Sequence, residues 1–204
     1  MATFHSALTR KLTHYLPLRN EEIDLLRDLE AHRRFVAADT ELVHEQQVGH
    51  HAFILETGWA CSYKLLPDGG RQVIDFPIPG DIIGLRSVLL HASDHSFATI
   101  TDVTVAEISA RQLVAAFEQQ PRLGVALLWA VSHDEAMVVE HLLNCGTRSA
   151  MVRTAHFLVK LGLRLQLAGL GSVSASTDGQ IGRFPCFGGR GWSMMLTDTP
   201  VVGA

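Results

Sequence analysis

Basic residues recur along the stretch 148–168, and their side chains are of the type that contacts phosphate. Arg and Lys donate charge-assisted hydrogen bonds to phosphate oxygens. The apolar residues between them follow helical spacing, so the stretch predicts a helix with a positive exposed face. That face either contacts a nucleic-acid backbone or is simply solvated. The four candidate residues are Arg148, Arg153, Lys160 and Arg164.

The eleven histidines raise the question of a metal site. The densest group is His44, His50 and His51, with Glu45 and Glu56 nearby. Two ligands on one strand must be an even number of residues apart to share a face, because side chains alternate. His50 and His51 are adjacent, so a strand would point them in opposite directions. We therefore predict loop or surface histidines and no metal.

The sequence also gives little indication of thiol or acid–base chemistry. Cys61, Cys145 and Cys186 form no CxxC pair and fall short of the four ligands usual for an iron–sulfur cluster. Cys61 is expected to be a small buried residue of a strand. The Gly169-x-Gly171 string follows a helix and not a strand, which excludes a dinucleotide-binding loop. No catalytic set can be assigned, so the sequence predicts a protein that is not an enzyme.

The overall composition of the chain limits how it can interact with nucleic acids and membranes. The net charge of −4 over 204 residues means that any nucleic-acid contact must come from a local basic surface. No stretch reaches the roughly 18 apolar residues of a membrane span, and the N-terminus lacks the apolar core of a signal peptide. We therefore expect a cytoplasmic protein with no membrane partner.

The elements that would position these residues change type along the chain. Residues 20–32 predict a short amphipathic helix with Asn20 as N-cap. Short apolar runs then alternate with turn signals, which is typical of an antiparallel sandwich or roll, and Pro67-Asp68-Gly69-Gly70 indicates a hairpin. The predicted strands are 33–37, 51–57, 59–66, 71–78, 97–101 and 103–109.

Two helices are predicted after the roll. Ser109 caps a helix over 110–120, and Pro121 begins a longer one over 121–145 that Gly146 ends as a glycine C-cap. Thr147 is then placed to cap the basic helix. The apolar stripe of 121–145 fits either packing against a second copy, which makes a homodimer, or packing on its own roll.

The order of these elements, and several local strings, resemble the Crp/Fnr family of transcription regulators. Phe53-Ile54-Leu55-Glu56-Thr57-Gly58 is similar to a hairpin of that family, and Asp102-Val103-Thr104-Val105-Ala106-Glu107-Ile108 to the last strand of its roll. Pro79-Gly80-Asp81-Ile82-Ile83-Gly84 is similar to the string that leads into its ligand pocket. The likeness covers residues 10–168.

The resemblance implies an α+β fold: an antiparallel double-stranded β-helix, or jelly roll, with flanking helices, a long dimerisation helix and a partial helical C-terminal domain. The implied domains are a cyclic-nucleotide-binding-like roll over 10–120, a dimerisation helix over 121–145, the start of a DNA-binding domain over 146–170, and an irregular tail over 171–204.

The resemblance also implies an effector site, with a change of ligand. In nucleotide-binding members, a glutamate that binds the ribose hydroxyl follows the last glycine of this string, which is Gly84 here. An Arg-Ser pair further along the chain binds the cyclic phosphate. Leu85 and His95 occupy the glutamate and arginine positions here. A leucine cannot accept a hydroxyl hydrogen bond, and a histidine is a poor substitute for a fixed cation. We predict no tight binding of cyclic AMP. Another small effector would contact Gly80, Asp81, Ile82, Gly84, His95 and Ser96, although the two glycines serve equally well as turn formers.

The DNA-reading part of the resemblance is incomplete. A helix-turn-helix should follow residue 168, but residues 169–204 are glycine-rich and aperiodic. One hypothesis is a truncated or frame-shifted regulator, which translation of the gene in the other two frames would test. The leading interpretation is a homodimeric regulator whose roll controls a C-terminal region that binds promoter DNA. The alternative is a stand-alone dimeric sensor or interaction module that does not bind DNA.

Overall fold

The computed structural model describes residues 5–48, 51–90, 92–147 and 149–171, with side chains except at 89–90 and 140–147. The described helices are α1 (Ala7–Tyr15), α2 (Asn20–Leu29), α3 (Leu85–Leu90), α4 (Ala110–Gln119), α5 (Pro121–Thr147) and α6 (Ala150–Leu167). The described strands are β1 (Arg33–Val36), β2 (Glu41–Val43), β3 (His51–Thr57), β4 (Ala60–Leu65), β5 (Arg71–Asp75), β6 (Ile82–Ile83), β7 (Ser96–Thr99) and β8 (Val103–Ser109).

The eight strands form two antiparallel four-stranded sheets. Their orders are β1-β8-β3-β6 and β2-β7-β4-β5, so the chain passes repeatedly between the sheets. The predicted hairpin joins β4 to β5, with Gly69 at φ +84 in the turn and Leu65 paired with Arg71 at its base. The prediction of an antiparallel jelly roll with flanking helices is confirmed.

The alternation of side chains along β3 separates two cores. Phe53 and Leu55 point into the space between the sheets, where they pack with Val103 and Val105 of β8. Ile54 points the other way, into a second core. A strand covered on both faces must be apolar at consecutive positions, which explains why β3 shows an unbroken apolar run.

The second core lies between the roll and the helices. Leu8 and Leu12 of α1 pack there with Leu123 and Ala126 of α5. The carboxylate of Glu22 on α2 is fully buried and accepts a hydrogen bond from Arg122 Nε at 2.9 Å. This ion pair fixes the start of α5 against α2, so the long helix leaves the roll in a defined direction.

The boundaries of the long helices differ in part from the predictions. The Ser109 cap is confirmed: its Oγ accepts from the Gln112 amide at 3.2 Å, and its own amide donates to Gln112 Oε1 at 2.9 Å. The prediction that Gly146 ends the next helix is wrong, because α5 continues to Thr147. Ser149, and not Thr147, occupies the N-cap position of α6. A glycine inside a helix lowers helix stability by only about 1 kcal/mol relative to alanine. The helix propensity of the neighbouring residues can offset that loss.

Four short elements were not predicted from the sequence: α1, β2, β6 and α3. The two strands hold two or three residues, too few for a period to be read. Helix α1 contains Lys11 and His14 beside its apolar positions. The predicted helix over 20–32 ends earlier, at Leu29, and its N-cap position is Arg19 rather than Asn20.

Helix α6 returns to the roll. Leu165 and Ala168 pack on Ala7, Trp59 and Ile78, which form a third apolar cluster. The helix ends at Leu167 with Ala168 as its C-cap, and Gly169 follows with φ +69, which lets the Leu170 amide donate back to the Leu165 carbonyl at 2.8 Å. None of the described helices is long and apolar enough to cross a bilayer.

Candidate functional site

The two glycines of the 79–84 loop are required by its backbone. Gly80 has φ +96, and a Cβ there would lie 2.9 Å from the carbonyl carbon of Ala7. Its amide donates to the Leu55 carbonyl at 2.8 Å, so the loop is fixed between α1 and β3. Gly84 has φ +74, and its carbonyl accepts from Ser87 Oγ at 2.6 Å. Their role as turn formers is thereby explained without a ligand.

The Asp81 carboxylate, predicted to face an effector, is engaged by protein groups in this structure. Its Oδ2 accepts from the Ile78 amide at 2.9 Å and from Arg164 Nη2 at 2.6 Å. Its Oδ1 accepts from Lys11 Nζ at 2.7 Å. These three donors occupy most of the acceptor positions of the carboxylate, so in this structure Asp81 links α1 and α6 to the roll, and its contact with an effector stays a prediction.

Asp81 is the centre of a larger group of charges, which we call the charge cluster. It consists of Lys11, Asp75, Asp81, Asp134 and Arg164. Arg164 Nη1 donates to Asp75 Oδ1 at 2.9 Å, and Lys11 Nζ lies 3.1 Å from Asp134 Oδ2. The cluster therefore connects a strand and a loop of the roll with α1, α5 and α6.

Burial and charge act in opposite directions on the acids of the cluster. Burial alone would raise the pKa of Asp81, but the charges of Lys11 and Arg164 outweigh it and hold that pKa below its usual value. Burial raises the pKa of Asp134, and Lys11 only partly offsets this. Asp81 therefore stays ionised at neutral pH, and the cluster depends on its charge.

Leu85, at the position where the family carries its ribose glutamate, belongs to the helical core. Its side chain is buried and packs in the cluster that contains Leu8, Leu12 and Ile54. The neighbouring Ile82 also packs against this cluster from β6. An apolar wall thus occupies the place of the sugar-binding carboxylate.

His95, at the position of the phosphate-binding arginine, is paired with a carboxylate. Its Nδ1 lies 2.6 Å from Asp94 Oδ1, and its ring lies on Phe97 with centroids 4.5 Å apart. Asp94 Oδ2 also lies 3.2 Å from Arg86 Nη1. Burial would raise the pKa of Asp94, but His95 and then Arg86 lower it below its usual value. The ionised Asp94 thus pairs with both Arg86 and His95, and the His95 ring is already engaged by a carboxylate.

The Ser96 hydroxyl is also in use. Its Oγ accepts from the Glu45 amide at 2.9 Å, and the residue is buried. Ser96 begins β7 and His95 directly precedes it, while Asp81 and Ile82 face the helices.

The four predicted phosphate contacts have different environments. Arg148 lies outside the described residues. Arg153 is exposed on α6, whereas Lys160 is half-buried, with Nζ 3.5 Å from the Met137 carbonyl oxygen. The Arg164 side chain is only 12% exposed and is held by two carboxylates. In this arrangement of α6, Arg164 is therefore engaged by the roll, and its role as a phosphate contact stays a prediction.

Helix α5 presents two faces with different surroundings. Ala126 and Ala130 face the molecule's own core. The opposite face exposes large apolar side chains, including Leu128 at 63% and Trp129 at 55%. Exposed apolar residues at helical spacing favour a partner surface. The exposed set is Val125, Leu128, Trp129, Val131, Val138 and Val139, which we call the α5 outer face.

Sequence reasoning missed the importance of Lys11, Asp75 and Asp134. Asp134 is visible as a charge within an apolar helix, but nothing in the sequence indicates that Lys11 lies beside it. No group of three or more metal-ligating side chains occurs among the described residues.

Comparison with known proteins places the roll in a family. Residues 33–120 match the family model described as the cyclic nucleotide-binding domain. The transcriptional activatory protein AadR of Rhodopseudomonas palustris is 32% identical over 144 residues, which is 70% of this chain and 58% of that protein. The chain spans about half the length of the curated relatives it matches.

Solved structures agree with the fold. The structure of FixK2 from Bradyrhizobium japonicum has a TM-score of 0.57 and 31% identity, covering 65% of this chain and 66% of that one. A cyclic nucleotide-binding domain from Methylobacillus flagellatus has a TM-score of 0.59 at 19% identity, covering 71% of this chain and 85% of that one. The second likeness concerns the fold alone.

Proposed function

Since residues 33–120 match the cyclic nucleotide-binding domain family and the similar curated proteins include transcription regulators, we propose that this chain is a Crp/Fnr-type transcription regulator. The roll is its effector domain, α5 is its dimerisation helix, and α6 begins the region that meets promoter DNA. The observation that carries the proposal is the direct connection of α6 to the roll through Arg164 and Asp81.

That connection provides a route from sensing to output. With α6 docked, Arg164 is buried between carboxylates and cannot reach a phosphate. Release of α6 would expose the charge of Arg164 beside that of Arg153. An effector that binds one arrangement better than the other shifts the population between them. The roll therefore controls how much positive charge the C-terminal region offers to DNA.

The effector is proposed to be a small molecule other than cyclic AMP. The buried Leu85 and the pairing of His95 with Asp94 both oppose the sugar and phosphate of a cyclic nucleotide. The dimer is proposed to form through the α5 outer face. Its exposed apolar side chains lie opposite the residues that pack on the roll, so a second copy can be accommodated without unfolding the first.

Selection from a random-sequence duplex pool, followed by binding measurements over a salt series, tests the proposal. A DNA-binding regulator enriches a defined sequence and loses affinity as salt rises, because it releases counterions from the phosphates it contacts. If no sequence is enriched and no binding occurs at low salt, the proposal is wrong for this chain. The stand-alone dimeric module then remains, favoured by the engagement of Arg164 within the protein.

A further inference from the structure

A cleft of about 940 Å³ lies between α1, α5 and α6, outside the roll. We call it the interhelical cleft. Its volume falls within the roughly 300–1,000 Å³ of small-molecule sites in proteins. The apolar part of its wall comes from Ile23, Ala136, Met137, Leu163 and Leu167. A wall of this kind suits the hydrocarbon body of an organic molecule.

The lysine and arginine residues on the wall of the cleft are not accompanied there by any acidic residue. Arg10 and Lys160 lie on its wall with His14 and His133. Arg164 also lines it but is already paired with carboxylates. Positive groups beside a low-dielectric apolar wall favour an anionic group of a ligand.

Arg10 has a charge that no described carboxylate neutralises. Its Nε donates to the Ala168 carbonyl at 2.7 Å and its Nη1 to the His5 carbonyl, and both acceptors are main-chain oxygens. No ion pair of Arg10 occurs among the described residues. A guanidinium has five donors, so Arg10 retains the capacity to bind an anion while it holds the end of α6.

We propose that the interhelical cleft binds a small organic carboxylate with an extended apolar body. The carboxylate contacts Arg10, and the apolar body packs along Met137, Leu163 and Leu167. Because α6 contributes part of the wall, the ligand binds the docked arrangement of α6 in preference to the released one. The binding step does not rest on the proposed DNA-binding function, so the two can fail separately.

Displacement of a fluorescent anionic dye tests the site. Anilinonaphthalene sulfonate, an apolar monoanion, is bound first and then displaced by decanoate, decanol or decyltrimethylammonium, which share a chain and differ in charge. We expect one dye per chain and a preference for decanoate over the other two of about tenfold or more, which corresponds to one lost charged contact. Equal displacement by the alcohol or by the cation would overturn the proposal.

Two substitutions one turn apart on α6 locate the site. Leu163→Glu places a carboxylate on the wall of the cleft, and Val159→Glu places the same group one turn nearer the start of α6, at a similarly exposed residue that does not line the cleft. We expect Leu163→Glu to weaken decanoate binding about tenfold or more and Val159→Glu to leave it unchanged. Equal effects of the two, with circular dichroism matching the wild type, would show that decanoate binds elsewhere and would refute the assignment.

Discussion

Arg164 Nη2 lies 2.6 Å from Asp81 Oδ2, and this contact joins the last described helix to a loop of the roll. Both side chains are nearly inaccessible, at 12% and 11% exposure. A charge-assisted hydrogen bond in such surroundings is strong only while both partners are present. The position of α6 therefore depends on Asp81.

Removal of the buried guanidinium should undock α6. We expect Arg164→Met to lower the free energy of unfolding by about 3–5 kcal/mol, because Asp81 would remain buried with part of its pairing lost. The matched control is Arg86→Met, which breaks an exposed pair with Asp94 and should cost about 1 kcal/mol or less. Urea denaturation of both variants measures the difference, and equal costs would contradict a structural role for Arg164.

Acid should weaken the same contact. The folded pKa of Asp81 is lowered, so its contribution is complete above its unfolded pKa of about 3.9 and is lost as pH falls through the lower folded value. The raised pKa of Asp134 acts in the opposite direction, since protonation of that group is easier in the folded state. We expect Asp81→Asn to reduce stability at neutral pH and to flatten its decrease in acid. A pH series of urea denaturations checks this, with the exposed Asp28→Asn as control.

The α5 outer face should hold the dimer together. Leu128→Glu places a charge among exposed apolar residues. We expect this variant to be monomeric, because dimerisation would bury the new charge against a second copy. Val114→Glu on α4 makes the same change at a site with similar exposure outside this face. Sedimentation equilibrium should report monomers for the first variant and dimers for the second. A monomeric wild-type protein would contradict the assignment of this face.

Position 85, where the family carries its ribose-binding glutamate, should not tolerate a glutamate in this protein. Leu85 lies in the helical core, so Leu85→Glu buries a carboxylate without a partner, and we expect a loss of stability of about 2–5 kcal/mol. Leu85→Met keeps the volume and should cost less than about 1.5 kcal/mol. Thermal unfolding compares the two, and calorimetry should detect no tight binding of cyclic AMP by the wild type. Full stability of the glutamate variant would contradict the placement of this side chain.

Gly80 should be required for more than its backbone angle. Gly80 and Gly69 both have positive φ, but a Cβ at Gly80 would lie 2.9 Å from Ala7 whereas one at Gly69 would meet nothing within 4 Å. Gly69→Ala therefore measures the conformational cost alone, about 1–2 kcal/mol. We expect Gly80→Ala to cost more, because α1 must move away from the loop. Equal melting temperatures would show that α1 is not tightly packed there.

The sequence by itself determined the roll and the order of α2, α4, α5 and α6. The apolar runs of β3 and β8, the glycine turn between β4 and β5, and the Ser109 cap are local signals, and each was read correctly because it depends on neighbouring residues. The replacement of the nucleotide-binding pair by Leu85 and His95 is equally a property of the sequence.

Only the tertiary structure decided what Asp81 and Arg164 do. They are 83 residues apart in the chain, and their types fit effector and phosphate binding as well as they fit an ion pair. Pairing between distant charges depends on how helices return to the roll, which no local period encodes. The same holds for Lys11 and Asp134, whose contact joins α1 to α5. Composition and spacing specified the elements, and the packing of α6 on the roll determined which charges are buried.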